Sequence, residues 1–495
     1  MGDVRQSVGQ EVYGTETAAP CPRPSLQALV AGLFLLVTAV FSLPAAAEDW
    51  PRFLGPRGDN TSSETQLLER WNANGPPIIW ERSVGSGYSA PSVRGELLVL
   101  HHRLDNEEIV EAMAPRTGKA KWTHKYASHF VDPFGYNNGP RCTPLLTSNR
   151  CYTFGAEGKL LCLDLADGQV VWQRDTAKDW QVPQAFFGVG STPLLESDRL
   201  IVMVGGQPDA GVVALDPATG KTIWESVGKK TWQGVIPIGG RTTKPYEWTG
   251  SEMLASYASP VAATIHGQRH LFCFMRQGLV ALNPTNGAVR FQRWFQSPIN
   301  ESVNAMSPVV LDDLAFISAA YYRVGAVALR VAPDGQSFAE AWRSPLNSFE
   351  RDPATGNYFT PVLEIHFSTP VLVNGFLYAF SGRNEPDARF RCVEFKTGRL
   401  RWSREEGWPA HSARQPKVFG RGSAILADGK LIVLGEGGRL GLFRPNPEKP
   451  EELCAWQVPS LHYPCWAGPV LSDRKLYLRS EDQLVCLDWA KPAKE

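Results

Sequence analysis

The sequence carries no excess of either charge, because its 50 lysine and arginine residues balance 50 aspartate and glutamate residues. Proteins that bind nucleic acid use clustered basic side chains, so this balance argues against a nucleic-acid partner. The sequence also lacks a phosphate-binding loop with its lysine, and it lacks the His-Arg-Asp and Asp-Phe-Gly motifs of kinases. It contains no Gly-x-Ser-x-Gly nucleophile elbow. Kinase activity is therefore not supported, and neither is a hydrolase of that type.

The composition also disfavours a helical protein. The chain has 45 glycines, 38 prolines and an aromatic content of 11%, which together indicate many short strands joined by turns. At 495 residues it is too long for one ordinary compact core, but this length suits a closed array of repeats. We therefore expect an all-β chain.

One apolar run is present, at residues 28–41, and it is short for a membrane span. Arg23 precedes it, and a Pro-Ala-Ala-Ala stretch follows at residues 44–47. This pattern predicts a signal peptide over residues 1–47, so that the mature protein has no transmembrane span. Because the region before the run is unusually long, a retained signal anchor and a start codon placed too early are the alternatives. We expect an exported protein of the periplasm or the cell envelope.

The dominant pattern is a repeat in which a small residue and a proline open each unit and an aromatic residue closes its last turn. The clearest turn, at residues 214–224, reads Ala-Leu-Asp-Pro-Ala-Thr-Gly-Lys-Thr-Ile-Trp. Its aspartate can bond backbone groups two residues on, and its glycine accepts a positive φ. The aromatic residue can fill the wedge between neighbouring sheets. The eight aromatic anchors are Trp80, Trp122, Trp172, Trp224, Phe291, Trp342, Trp402 and Trp456.

The two ends of the array complement each other. The last unit opens at residues 468–469 and reaches Asp488 without an anchor, whereas Trp80 has no strands before it. The simplest interpretation is that the N-terminal strand completes the last blade and closes the ring. We predict a single eight-bladed β-propeller of four-stranded blades over residues 76–490, with a leader at 48–75 and a tail at 491–495.

The Ala-Leu-Asp-x-x-Thr-Gly-x-x-x-Trp unit resembles the repeat of the quinoproteins, which use pyrroloquinoline quinone (PQQ). It is also similar to the propeller of the barrel-assembly lipoprotein BamB. The first resemblance implies a PQQ-dependent dehydrogenase of alcohols or sugars, with the quinone held between a tryptophan and a disulfide of adjacent cysteines. Calcium, bound by acidic and amide oxygens, would polarise the quinone. The second resemblance implies recruitment of other envelope proteins, although the usual lipid anchor is missing.

The segments before the opening prolines approach the axis of such a ring, where convergent polar and aromatic groups can bind a ligand. They can equally line a water-filled channel or stack to plug it. Glu301 and Asn304 are candidate calcium ligands. Trp466 is a candidate stacking surface for a quinone. The candidate funnel residues are Arg141, Phe187, Tyr257, Asn304, His366, Arg421, His462 and Trp466.

The absences favour binding over catalysis. The sequence has no adjacent cysteine pair and no Cys-x-x-Cys-His haem site. We therefore expect a monomeric binding or scaffolding module whose partner is an envelope protein or a small ligand. PQQ and calcium are the cofactors of the alternative, the quinone-dependent dehydrogenase.

Two further features leave alternatives open. The long insertion at 229–253 either carries function or packs its aromatic residues on the blades. Cys151 and Cys162 either face each other across a hairpin or are buried apolar residues.

Overall fold

The computed structural model describes residues 48–183, 186–232, 235–238, 242–296, 303–345, 351, 356, 360–408 and 417–492. The signal peptide expected at 1–47 lies outside these residues. None of the helices in the described part of the chain has the length and apolar character needed to cross a bilayer.

Eight antiparallel sheets of four strands form the ring, so the predicted all-β, eight-bladed propeller is confirmed. The first strand is β1 (Ile78–Ser83). Blade 1 contains β2 (Ser92–Arg94), β3 (Leu97–Leu104), β4 (Glu107–Met113) and β5 (Ala120–Ala127). Blade 2 contains β6 (Leu145–Leu146), β7 (Arg150–Phe154), β8 (Lys159–Asp164) and β9 (Val170–Asp175), followed by the short helix α1 (Thr176–Asp179). Blade 3 contains β10 (Leu194–Glu196), β11 (Arg199–Val202), β12 (Val212–Leu215) and β13 (Thr222–Ser226).

An inserted hairpin of β14 (Val235–Ile238) and β15 (Thr242–Pro245) precedes blade 4. Blade 4 contains β16 (Val261–Ile265), β17 (Gln268–Phe274), β18 (Gly278–Leu282) and β19 (Val289–Trp294). Blade 5 contains β20 (Val309–Leu311), β21 (Leu314–Ala319), β22 (Gly325–Val331) and β23 (Phe338–Ser344), with a 3-10 turn at Tyr321–Arg323.

Blade 6 contains β24 (Val371–Val373), β25 (Phe376–Ser381), β26 (Arg389–Glu394) and β27 (Leu400–Glu405), with a 3-10 turn at Glu385–Asp387. Blade 7 contains β28 (Ser423–Ala427), β29 (Lys430–Leu434), β30 (Arg439–Arg444) and β31 (Glu451–Gln457). Blade 8 contains β32 (Val470–Ser472), β33 (Lys475–Arg479) and β34 (Gln483–Asp488), and β1 is its fourth strand.

The pairing of β1 with β34 closes the ring as the sequence predicts. Trp80 lies opposite Cys486, and Arg82 lies opposite Leu484. The two ends of the chain thus share one sheet, and β34 has no free edge. The leader, which precedes this strand, also contacts a neighbouring blade. Gly75, with φ of 77°, ends the turn before β1 and seats the ring of Trp456 from blade 7.

Every blade has a register shift between its third and fourth strands, next to the anchor. In blade 2 the shift lies between Cys162 and Leu163, and it places Cys162 opposite Trp172. Such a bulge bends and twists the outer strand. Alanine or cysteine faces the anchor in seven blades, so the small third residue of the Leu-x-Ala/Cys-Leu-Asp motif leaves room for the aromatic ring.

Each tryptophan anchor also binds the next blade. The indole Nε1 of Trp172 donates to the Pro217 carbonyl at 2.9 Å, and its ring would lie 2.7 Å from a Cβ atom at Gly220. Glycine is therefore required at position 220 for two reasons. Its φ is 69°, and a side chain there would collide with the indole ring. The same contact joins five other pairs, Trp80 with Gly118, Trp122 with Gly168, Trp224 with Gly287, Trp342 with Gly398 and Trp456 with Gly75.

Gly220→Ala is expected to lower the free energy of unfolding by about 2–3 kcal/mol, because the new methyl group both strains the left-handed backbone and displaces Trp172. Gly375→Ala is the matched control. Gly375 has φ of 83°, but no atom lies within 4 Å of the position that a Cβ would take there, so we expect a loss of only about 1 kcal/mol. Chemical denaturation measures both variants. Equal losses would show that the indole seat contributes nothing.

The cysteines of the described chain all have free thiols. Cys151 lies opposite Leu163 and Tyr152 lies opposite Cys162, so the two cysteines do not face each other across the β7–β8 hairpin. Both are buried among apolar side chains. The structure thus favours the second alternative, buried apolar residues.

The described aromatic residues of the insertion pack on the blades, which is the second of its two alternatives. Trp232 is buried, and its ring meets the Trp294 ring edge-on at 6.3 Å. Tyr246 contacts Trp294 at 4.9 Å, and Trp248 packs against the same cluster of blades 3 and 4.

The leader crosses the face of the ring that carries the hairpins between first and second strands. Trp50 exchanges two backbone hydrogen bonds with Val93 of blade 1, and Pro51 accepts one from Leu146 of blade 2. Residues 60–62 exchange two with Leu426 of blade 7. Asn60 Nδ2 donates at 3.1 Å to the Thr369 carbonyl, which precedes blade 6 on the side opposite blade 2. The leader therefore spans the axial opening on this face.

Candidate functional site

A cavity of about 190 Å³ lies on the axis, beside the segments that precede the first strands. Phe53 of the leader lines it and also lines two other spaces, beside Trp50 and Arg52. Phe53 is therefore the floor of this cavity, which we call the cup. The cup is lined by Phe53, Tyr88, Asp132, Tyr136, Arg141, Phe187, Gly190, Thr192, Tyr257, Val303, Ala305, Tyr321, His366, Phe367 and Trp466.

Aromatic rings in contact with one another surround the cup. The Trp466 ring lies 4.8 Å from Tyr88, 5.7 Å from Tyr136 and 5.6 Å from Phe367, centroid to centroid. Tyr136 continues the series to Phe187 at 5.7 Å. All these pairs are tilted or edge-on, the arrangements that aromatic side chains prefer. They come from different blades and meet only in the closed ring.

One ion pair is part of the wall. Arg141 Nη2 donates to Asp132 Oδ2 at 2.8 Å and to the Asn137 carbonyl at 2.9 Å. The other carboxylate oxygen accepts from the Phe134 backbone N–H at 2.9 Å. Both side chains are nearly inaccessible to water, at 10% and 0% exposure. The two charges thus neutralise each other, and neither needs an opposite charge from a ligand.

A second polar network fixes the opposite wall. Arg421 Nη1 lies 3.0 Å from His366 Nδ1, and His366 Nε2 lies 3.2 Å from the Tyr321 hydroxyl. Burial, with the nearby charges of Arg421 and Arg383, lowers the pKa of His366 well below its usual value, so the ring is neutral. Because a guanidinium can only donate, Nδ1 accepts, and the ring proton is on Nε2. His366 therefore donates to Tyr321, whose own proton points elsewhere.

Glu436 anchors this network from behind the wall. Its side chain is completely buried and accepts from Arg421 Nη2 at 2.9 Å and from the Arg421 backbone N–H at 2.8 Å. It also accepts from the indole nitrogens of Trp466 at 3.1 Å and Trp408 at 3.3 Å. The Glu436 carboxylate thus fixes the position of Trp466 in the wall. It also positions Arg421, whose hydrogen bond to Nδ1 determines the tautomer of His366.

The segment that carries Tyr321 has an unusual backbone. Tyr322 has φ of 49° and ψ of 43°, a conformation that is rare for a bulky residue. The Arg383 guanidinium lies 4.9 Å and 4.6 Å from the rings of Tyr321 and Tyr322, which holds both side chains. Burial raises the pKa of Tyr321 to about 12, so it is a hydrogen-bond donor at neutral pH.

The structure brings five of the predicted funnel residues to the cup: Arg141, Phe187, Tyr257, His366 and Trp466. Arg421 lies behind the wall, in contact with His366. His462 does not line the cup; it is half exposed and pairs with Asp482 at 3.1 Å. Glu301 lies outside the described residues.

Asn304 is buried and supports the wall from outside. Its amide Nδ2 donates to the Met275 carbonyl at 2.9 Å, and its backbone carbonyl accepts from Tyr257 and Ala258 N–H at 3.0 Å each. It therefore positions Tyr257. Within the described ranges no group of three or more histidine, cysteine, aspartate or glutamate side chains is arranged to hold a metal ion.

Sequence reasoning missed Phe53, Asp132, Tyr136, Tyr321 and Glu436. Tyr136 and Asp132 belong to a long loop rich in aromatic residues, a signal that sequence analysis can use. Nothing local in the sequence marks Phe53 or Glu436, because their roles depend on contacts between distant segments.

The model of the family described as outer membrane protein assembly factor BamB matches residues 61–182 and 106–359, which together span more than half of the chain. The chain belongs to the BamB family. No curated protein has a matching sequence. BamB from Moraxella catarrhalis has a similar structure, with a TM-score of 0.52 and 12% identity over 85% of this chain and 99% of that one.

Two dehydrogenases have structures that resemble this BamB-family chain to a similar degree. The quinohemoprotein alcohol dehydrogenase of Comamonas testosteroni has a TM-score of 0.59 and 14% identity, over 90% of this chain and 81% of that one. A europium-containing methanol dehydrogenase has a TM-score of 0.57 and 12% identity, over 89% of each chain. At these identities the likeness shows the fold alone.

Proposed function

We propose that the protein is an exported binding module of the cell envelope that holds a small ligand in the cup. The observation that carries this proposal is the cup itself, a preformed aromatic cavity with a closed floor and oriented polar groups. The signal pattern at 1–47 supports export, and the name of the family supports the envelope.

The protonation states in the cup support binding rather than acid–base catalysis. A general base needs a free lone pair within reach of the ligand. His366 uses Nδ1 to accept from Arg421 and carries its proton on Nε2. Both oxygens of Asp132 already accept hydrogen bonds, from Arg141 and from Phe134. His366 therefore offers no free lone pair to a ligand, and Asp132 is held by hydrogen bonds within the protein.

A quinone-dependent dehydrogenase is the second candidate, because the chain shares its fold with a quinohemoprotein alcohol dehydrogenase. The described residues of the cup do not fit PQQ. That cofactor carries several carboxylates, whereas Arg141, the one arginine among the described residues that line the cup, is already paired with Asp132. Cys142 follows Arg141 but is buried, with its thiol directed at the Val189 and Ser191 carbonyls. No clamp of adjacent cysteines exists in the sequence.

Scaffolding is the other form of binding, and the rim of the cup offers a surface for it. Val131, Phe134 and Tyr136 are 65%, 52% and 53% exposed on one loop beside the mouth. Exposed apolar clusters of this kind are common where proteins meet. An envelope protein that contacts this rim would also cover the ligand.

Protein purified from the envelope of its source cells is expected to release a small molecule on denaturation, detectable by mass spectrometry. Trp466→Ala should release at least about tenfold less, because it removes a central wall aromatic. Trp248→Ala, in the insertion outside the cup, should release as much as the unaltered protein. Added PQQ and calcium should bring neither quinone absorbance nor dye reduction with alcohols or aldoses. Absence of any released molecule contradicts the proposal, and dye reduction would favour the dehydrogenase.

A further inference from the structure

We propose that the ligand of the cup is a neutral saccharide, packed against the aromatic walls and hydrogen-bonded by the hydroxyl groups of Tyr257 and Tyr321. This inference rests on the proposed function, because it names the chemical class of the ligand that the cup would hold.

The charges of the wall select a neutral ligand. Arg141 and Asp132 line the cup together, 2.8 Å apart and nearly inaccessible to water. A cationic ligand would lie beside a buried guanidinium, and an anionic one beside a buried carboxylate, while each of these groups is already satisfied. Desolvating a ligand charge without a new partner is strongly unfavourable. Arg383 is near the wall but covers the rings of Tyr321 and Tyr322 and does not line the cup.

The hydroxyl groups of the wall require a ligand with acceptor oxygens. Tyr321 accepts from His366, and Tyr257 accepts from the Phe187 backbone N–H at 3.0 Å. Each phenol can donate one proton, and neither finds an acceptor for it among the described residues. Burial raises the pKa of Tyr257 to about 12, so it too keeps its proton. An apolar ligand would leave both donors unsatisfied, which costs free energy.

The aromatic rings select a ring-shaped ligand with apolar faces. Tyr88, Tyr136, Phe187, Phe367 and Trp466 surround the space between the two polar walls. A sugar ring presents C–H groups on its faces and hydroxyl groups around its edge. It therefore matches aromatic walls that alternate with hydrogen-bonding groups, whereas an alkyl chain would use only the rings.

The test is titration of the purified protein by calorimetry, with tryptophan fluorescence as a second readout. The neutral probes are methyl β-D-glucopyranoside, methyl α-D-mannopyranoside and N-acetyl-D-glucosamine. The comparison probes are choline, D-gluconate and benzyl alcohol. We expect saturable binding of at least one sugar, with a dissociation constant of about 1 mM or below, and no saturable binding of the comparison probes.

The variants link the binding to the cup. Tyr321→Phe is expected to weaken sugar binding about tenfold, because it removes one donor and leaves the ring in place. Tyr378→Phe, in the buried core between blades 6 and 7, should bind as the unaltered protein does. Circular dichroism of both variants shows whether the fold is retained.

Two outcomes contradict the saccharide proposal, and only the second also contradicts the proposed function. If choline, gluconate or benzyl alcohol binds and the sugars do not, the saccharide is excluded while the cup remains a ligand site. If no probe binds and the protein from the envelope also releases no small molecule, the proposed function fails as well.

Discussion

Glu436→Leu is expected to lower the free energy of unfolding by about 3–5 kcal/mol, because it leaves the buried Arg421 guanidinium with one carboxylate instead of two. Glu436 accepts three hydrogen bonds from the Arg421 side chain and one from its backbone N–H. Among the described residues, Glu385, which also accepts from the Tyr463 hydroxyl, would be the one carboxylate left to pair with the guanidinium. The loss should appear in chemical denaturation of the variant.

The same variant should also impair the cup. Without Glu436, Arg421 and the Trp466 indole lose a shared acceptor, so the Arg421 side chain that fixes the tautomer of His366 is held less firmly. Ligand release should therefore fall along with stability. Lys396→Met is the control, since Lys396 and Asp312 form an exposed pair whose loss should leave the stability nearly unchanged. The double variant Arg421→Met/Glu436→Leu should recover part of the stability. Equal losses in the control and in Glu436→Leu would contradict the role of Glu436.

Trp50→Ala is expected to cost about 3–5 kcal/mol, the usual range for truncating a buried tryptophan. Trp50 is 3% exposed and belongs to the core cluster that joins blades 7, 8 and 1. Its ring also covers Gly55, in the turn that leads the leader across the axis. Removing the ring should loosen the turn and, with it, the Phe53 floor of the cup.

Phe134→Ala is the control for that experiment. Phe134 is half exposed on the rim, so its loss should cost less than about 1 kcal/mol. Thermal unfolding compares the two variants, and limited proteolysis of the leader tests whether the floor has loosened. A stable Trp50→Ala variant with an intact leader would show that the leader is not part of the folded core.

The repeat made the fold predictable because its signals are local. Asp216 and Gly220 specify a turn, and Trp224 follows on the outer strand. The bulge next to this turn places Trp224 opposite Ala214, where its ring packs between two blades. The missing anchor at one end and the missing strands at the other predicted ring closure, and the pairing of Trp80 with Cys486 confirms it. The proline positions also indicated which segments approach the axis, so Arg141 and Trp466 were found among the lining residues of the cup.

Other features required the folded chain. Glu436 follows a glycine in an ordinary hairpin, and only its contacts with Arg421, Trp408 and Trp466 reveal its role. The sequence analysis assigns residues 48–75 only as a leader before the ring, whereas in the structure Phe53 of this leader forms the floor of the cup.

The sequence by itself determined the all-β class, the number of blades and the closure, because strand, turn and anchor repeat within each short segment. The tertiary structure decided the chemistry of the axis, where loops from different blades and the leader converge. Their contacts join residues hundreds of positions apart, and no period along the chain records which charges become paired or which hydroxyl groups keep a free proton. The eight anchors define the ring, and the side chains that meet at its centre define what it can bind.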